Sequence, residues 1–443
     1  MGRLSRKLSS SQIIILGFAA AILFGSLLLM LPISTRDGRG ACFTDALFTA
    51  TSAVCVTGLI LKDTAAYWTG FGQAVILALI QIGGMGVVTI GVAIAAVSGK
   101  KISLKQRSTM QEAISAHKVG DIVKLTGFII KMTVIFELLG ALSMAFPFCR
   151  EFGFPLGIWY ALFHSVSAFC NAGFDLMGKK TPFSSLTYFA SDPAINLTIM
   201  ALIITGGIGF ITWEDIKANK FRIRRYRMQS KVILAATAFL IFFPALYFFF
   251  FELSGNPLGT RVLSSLFQSV TPRTAGFNTV DLTRFSETGI AVTILLMLIG
   301  GSPGSTAGGM KTTTAAVFLS TAVSVFRRRE HTHFFGRRID HETVRNAAAI
   351  LTLYMLLFLF GGFAISRIEH LPLLACLFET ASAVATVGLT LGITAQLGLI
   401  SQIILILLMY IGRVGGLTLI FAAVSGSRLG NTARLPQEKL TVG

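Results

Sequence analysis

The sequence predicts an all-α polytopic membrane protein with eight crossings, in which four parallel helix–half-helix–filter–helix units surround one axis. Three observations lead there. Only 13% of the 443 residues are charged and 53% are hydrophobic, whereas a soluble domain carries about 25% charge. Eight apolar stretches come close to or exceed the ~20 residues that a helix needs to cross a bilayer core. A glycine-centred pattern recurs four times, at intervals of roughly 110 residues. This composition excludes an ordinary soluble enzyme and a disordered chain. The formal net charge of +18 would suit nucleic acid, but the basic loops of a polytopic protein give the same sum. Cys42, Cys55, Cys149, Cys170 and Cys376 are scattered and odd in number, so neither a disulfide framework nor a zinc site is expected.

The long apolar stretches are 12–32, 71–97, 122–147, 194–213, 230–251, 285–326, 345–366 and 397–424. The first follows Arg3, Arg6 and Lys7, and it is too long and lacks the cleavage pattern for a signal peptide. Four shorter segments, 42–52, 156–168, 259–270 and 372–382, are about 11 residues each, or ~16 Å of helix, half a membrane. They read as re-entrant half-helices. Basic residues gather at the N-terminus, around Lys100, Lys101, Lys105 and Lys118, around Arg222, Arg224, Arg225 and Arg227, around Arg327, Arg328 and Arg329, and in the tail at Arg428, Arg434 and Lys439. The positive-inside rule places both termini and these loops in the cytoplasm of a plasma membrane. The basic runs then read as topology determinants beside anionic lipid, not as a nucleic-acid surface.

Each half-helix runs into one copy of the repeat: Phe48–Leu59, Phe163–Phe174, Phe267–Phe277 (one residue shorter) and Phe378–Leu389. The copies close on Val56-Thr57-Gly58, Asn171-Ala172-Gly173, Thr274-Ala275-Gly276 and Thr386-Val387-Gly388. The units are assigned to 1–116, 117–227, 228–340 and 341–443. All four face the same side, so they are parallel and can enclose one pore. Non-helical backbone at membrane depth survives only when buried in protein or lining an aqueous path. Four such segments around an axis turn rings of carbonyl oxygens inward, and such rings replace the water shell of a monovalent cation. Glycine permits that backbone without a Cβ clash. The half-helix ends add the negative end of their dipoles.

The stretch 285–326 is too long for one crossing and is split at 300–314 by five glycines and a proline. A loop at that depth must line a cavity, and it is expected to act as an intramembrane gate carried by Gly304, Ser305, Thr306, Gly308, Gly309 and Lys311. Lys311 is expected to hold the loop by pairing with carbonyls, the alternative being a lysine that snorkels to the surface. Gly304–Gly309 has P-loop glycine spacing, but Met310 stands where the lysine is needed. Arg413, inside the last stretch, is expected to face the interior with a partner. Arg273, in the third filter segment, is expected to point back toward an acid, Glu379 or Asp45. His164 and Glu137 read as packed, hydrogen-bonded groups, and His331, His333 and His341 as loop residues. No nucleophile–base set or carboxylate pair supports an enzyme. Inverted repeats, the usual mark of a solute transporter, are also missing from the pattern.

The filter segments, with Leu31-Pro32-Ile33-Ser34-Thr35, Gln81-Ile82-Gly83-Gly84-Met85-Gly86, Thr205-Gly206-Gly207-Ile208-Gly209-Phe210, Thr271-Pro272-Arg273 and Ile411-Gly412-Arg413-Val414-Gly415, resemble the signatures of the TrkH, KtrB and plant HKT superfamily of cation transporters. The likeness covers nearly the whole chain and is strongest to its KtrB-type, ion-conducting subunits of Ktr systems. That resemblance implies bacterial potassium uptake, with potassium at the filter as substrate and no covalent cofactor. It further implies a homodimer with one pore per subunit, a gate at the 300–314 loop with Arg413 close by, and a cytoplasmic RCK-type nucleotide-binding ring as regulator. Sodium conduction, or sodium as a coupled ion or activator, is the alternative. In this family a serine at the first filter position goes with sodium passage, and this chain has Gly58 there.

Overall fold

The computed structural model describes residues 9–97, 107–111, 122–179, 181–416 and 418. The lysines at 100, 101, 105 and 118, the boundary at 116/117, both termini and the end of the 397–424 stretch lie outside the described residues. The described chain is all-α apart from one small hairpin. An outer helix, a half-helix and a broken inner helix follow one another. They run α1 (Ser10–Leu29), α2 (Phe43–Val54), α3 (Gly70–Met85), α4 (Val87–Val97), α5 (Ile122–Phe152), α6 (Leu156–Phe169), α7 (Pro193–Gly207), α8 (Phe210–Asn219), α9 (Met228–Tyr247), α10 (Leu258–Val270), α11 (Glu287–Leu298), α12 (Thr312–Phe326), α13 (His341–Glu369), α14 (Leu373–Val384) and α15 (Leu399–Val414).

Helix starts are written in capping chemistry. Ser9 and Gln12 form a reciprocal capping box on α1. The side chains of Thr69, Asp192, Ser286 and Asp340 accept from the first free N–H groups of α3, α7, α11 and α13. Pro147 does not end α5, although the apolar run stops there; the helix continues to Phe152. Four spans are long and apolar enough to cross a membrane, Ser10–Leu29, Lys124–Phe152, Met228–Glu252 and His341–Glu369, and six if each of two bent helix pairs is counted as one span. The protein is thus a multi-span membrane protein. Large apolar side chains such as Phe24, Leu142, Phe146 and Phe360 are exposed on the outer helices, as lipid contact requires.

Two of the inner helices expected to be continuous are sharply bent. α3 and α4 meet at 96°, and α7 and α8 at 95°. The corners are Gly86 and Gly209, with φ of 85° and 88°, and α15 ends on Gly415 with φ of 92°. These values belong to glycine. In the third unit a loop, 299–311, takes the place of the corner. The basic segment 327–345 contains an antiparallel hairpin, His333–Phe334 against Arg337–Arg338, which the periodicity did not suggest.

Candidate functional site

The half-helices α2, α6, α10 and α14 converge, and the phenylalanine opening each motif (Phe48, Phe163, Phe267, Phe378) is buried in the common core. After each half-helix the backbone takes the same path. Val56, Asn171, Thr274 and Thr386 have φ of 51°, 56°, 67° and 52°, and Gly58, Gly173, Gly276 and Gly388 have φ of 94°, 69°, 80° and 93°. Residues either side of an ordinary one are therefore left-handed, the alternation that turns successive carbonyls the same way. Thr57, Ala172 and Val387 donate their N–H to Ser52, Ser167 and Ser382 carbonyls, each at 2.8 Å; in the shorter third segment Ala275 donates to Thr271 at 3.0 Å. Left-handed Val and Thr are strained by about 1–3 kcal/mol each, which persists only where the surroundings impose it.

The four glycines close a ring. A Cβ on Gly58 would meet the Ala172 carbonyl oxygen, one on Gly173 that of Ala275, one on Gly276 that of Val387, and one on Gly388 that of Thr57, all within 2.7 Å. Each segment touches the next and the fourth touches the first. Any side chain at these positions forces backbone apart, so glycine is needed for close approach as well as for φ.

A second glycine set, whose part the sequence reading missed, sits on the inner helices. A Cβ on Gly83, Gly206 or Gly412 would run into the carbonyl of Val54, Phe169 or Val384, the last residue of the half-helix in the same unit. Three residues later comes the corner or terminal glycine. The signal was present as three Gly-x-x-Gly spacings, read only as a family signature.

The loop 299–311 packs on the half-helix side of the ring. Gly300 N–H donates to Met310 O at 2.8 Å and Thr312 N–H to Gly301 O at 2.9 Å. The loop is tied to α8 by Phe210 N–H to Gly304 O at 2.8 Å, and to α15 by Gly309 N–H to Gly412 O at 3.2 Å. A Cβ on Gly308 would collide with the Thr386 hydroxyl, and one on Gly309 with Ala385. Lys311 Nζ donates to Ala307 O at 2.8 Å and Gly308 O at 3.3 Å, so the ammonium turns back onto the loop and does not snorkel away. Arg413 donates to Thr306 O at 2.6 Å, to Gly84 O at 3.3 Å and to Gly83 O. Beside the loop lies a cavity of about 330 Å³ bordered by Phe18, Pro303, Ser305, Lys311, Tyr354 and Arg413.

The expected acid partner of Arg273 is not there. Its guanidinium donates to Thr237 Oγ1 at 3.0 Å. Glu379 instead accepts from Thr390 and Thr394, and Asp45 lies 3.8 Å from Lys62. His164 is packed as expected, with Nδ1 2.7 Å from Tyr160 O and Nε2 accepting from Leu176 N–H. Glu137 is buried and accepts from Gln81 at 3.3 Å.

The described chain is a multi-span helical protein in which four short helices run into glycine turns that close a ring, and membrane transport proteins are the class that uses such backbone rings. Residues 10–429 match the TrkH family, described as a cation transport protein. The potassium/sodium uptake protein NtpJ of Enterococcus hirae is 40% identical over 451 aligned positions, with 100% of this chain and 99% of that protein covered. The Ktr system potassium uptake protein B of Bacillus subtilis is 40% identical over 419, with 93% and 92% covered. The potassium transporter TrkH from Vibrio parahaemolyticus shares the fold, with a TM-score of 0.74 at 19% identity over 93% of this chain and 84% of that one. The chain belongs to the TrkH family of cation transport proteins, so it is a transporter and not an enzyme.

Proposed function

We propose that the chain takes up potassium across the bacterial plasma membrane through a pore whose selectivity filter is the four-glycine ring. Its unit division is that of residues 1–116, 117–227, 228–340 and 341–443, with eight crossings and both termini cytoplasmic. The observation that carries the reading is the closure of Gly58, Gly173, Gly276 and Gly388 onto one another's neighbouring carbonyls. Backbone oxygens fixed in rings substitute for the hydration shell of a monovalent cation. The four half-helices bring the negative ends of their dipoles to its approach. The loop 303–312, with Gly304, Ser305, Thr306, Gly308, Gly309 and Lys311, obstructs the path on the cytoplasmic side of that ring, and Arg413 secures it there. Two relatives with 93% or more of this chain aligned are named for potassium uptake.

A second reading, in which sodium is also carried or activates transport, is favoured by the name of one of them, a potassium/sodium uptake protein at 40% identity. Expression in a bacterium lacking its own potassium uptake tests both. The wild-type chain is expected to restore growth at low potassium. Gly58→Ser, Gly173→Ser and Gly276→Ser are each expected to weaken potassium-over-sodium discrimination in uptake competition about tenfold, because the added side chain pushes apart backbone that is already in contact. Unchanged competition in all three would remove the filter assignment.

A further inference from the structure

Val56, Asn171, Thr274 and Thr386 occupy one place in the four segments, two residues before each glycine, and all have positive φ. Asparagine tolerates that conformation better than most residues. Three of the four positions nevertheless carry β-branched residues, so the backbone alone does not select Asn171. Thr386 and Thr274 only pack against the loop, at Gly308 and Gly300, whereas the Asn171 side chain hydrogen-bonds to it: Nδ2 donates to Thr306 Oγ1 at 3.1 Å, with both residues buried. This is a direct bond from the second filter segment to the intramembrane loop.

Thr306 is held on every side. Its hydroxyl donates to Phe169 O, the last carbonyl of α6, at 2.9 Å. Its N–H donates to Gly206 O at 3.2 Å, and its carbonyl accepts from Arg413 at 2.6 Å. A loop movement that withdraws Thr306 must break the Asn171 bond. The Asn171 Oδ1 atom, buried and without a hydrogen-bond donor among the described residues, turns with that amide.

We propose that Asn171 is the residue through which the position of the loop reaches the filter. With the loop seated, Thr306 fixes the Asn171 amide. When the loop withdraws, the amide is released and the cation discrimination of the second filter segment changes. Asn171 is thus a positioning residue and a specificity determinant, a role that rests on the filter and gate reading above.

The test is a double-mutant cycle. Potassium/sodium competition is measured in proteoliposomes for wild type, Asn171→Val, Thr306→Val and the pair, with Gly173→Ser in parallel. Each single change is expected to shift discrimination about threefold, the pair no further than either alone, and Thr306→Ser to recover the Thr306→Val shift because the hydroxyl remains. Shifts that multiply in the pair, or no shift in either single variant, overturn the proposal. Should Asn171→Val not accumulate in the membrane, Asn171→Thr, which copies Thr274 and Thr386, is read in the same cycle with the same expectation. A loss of discrimination in Gly173→Ser alongside a failed cycle leaves the filter intact and removes only the coupling. No loss in Gly173→Ser, joined by none in Gly58→Ser and Gly276→Ser, strikes the filter itself.

Discussion

Arg413 has no carboxylate among the described residues, and its charge is satisfied by carbonyl dipoles of Thr306, Gly83 and Gly84. The same position in the first two units is Gly84 or Gly207, each following a glycine that packs on its half-helix end. The fourth unit therefore substitutes a fixed cation for a hydrogen atom. A unit charge repels a monovalent cation by about 2 kcal/mol at about 8 Å for an effective dielectric near 20. Were an ion to pass at that distance, as the pore reading has it, its occupancy there would fall about 30-fold. Removing the guanidinium also takes the Arg413 donor from the Thr306 and Gly84 carbonyls, at about 1–3 kcal/mol for each that stays buried, while Gly83 O keeps the Gly86 N–H at 3.0 Å; the loss at Thr306 loosens the loop. Both effects favour flux. Arg413→Ala is expected to raise potassium flux per molecule in liposomes about tenfold, with Arg413→Lys in between because it keeps the charge and loses the fork. Normal flux per surviving molecule, with little protein accumulating, would make the arginine an anchor instead.

At the scale of elements, the loop 299–311 is, among the described residues, the one inner-helix break that is more than a corner. Its bonds reach α6, α7, α8 and α15, so it is wedged among three units instead of hanging free. If it obstructs the path, deleting 304–309 is expected to raise flux at least tenfold, read as potassium-driven dye uptake in liposomes. A variant that inserts normally and conducts no faster would reduce the loop to packing. The half-helices and this break were legible in sequence because length and glycine content report them directly. The four glycine turns that close the ring were legible because four copies can be laid in register. The corners at Gly86 and Gly209 were not, since largely apolar sequence continues on both sides and hydropathy carries no dihedral angle. Nor was the partner of Arg273, since an apolar run such as 230–251 gives no hint that Thr237 faces a guanidinium.

For the whole molecule, the question is how anything outside the membrane moves a loop so firmly seated. The basic segments are the proposed connection. Residues 220–227 join α8, whose first N–H donates to Gly304, to α9. Asp215 on α8 is tied to Ser230 at 2.6 Å and to Arg227 at 3.4 Å. On the other side of the loop, α12 starts directly after Lys311 and ends at the Arg327–Arg329 run and its hairpin. A body docked on both basic segments therefore grips the loop's contacts from two directions. Such a body is expected to present acidic groups and to bind less tightly as salt rises. An RCK-type nucleotide-binding ring, as the family likeness implies, would meet this description. Its nucleotide can shift the loop only by binding one docked state better than the other. Taking the loop from 1% to 99% withdrawn requires about a 10⁴-fold difference in affinity, shared among the ring's sites. Flux is to be measured with and without that subunit, in ATP and in ADP. Faster flux in one nucleotide is expected, only with the subunit present, and the difference is expected to vanish when 304–309 are deleted. Equal flux in all conditions, with docking shown by co-purification, would leave the pore without this regulator.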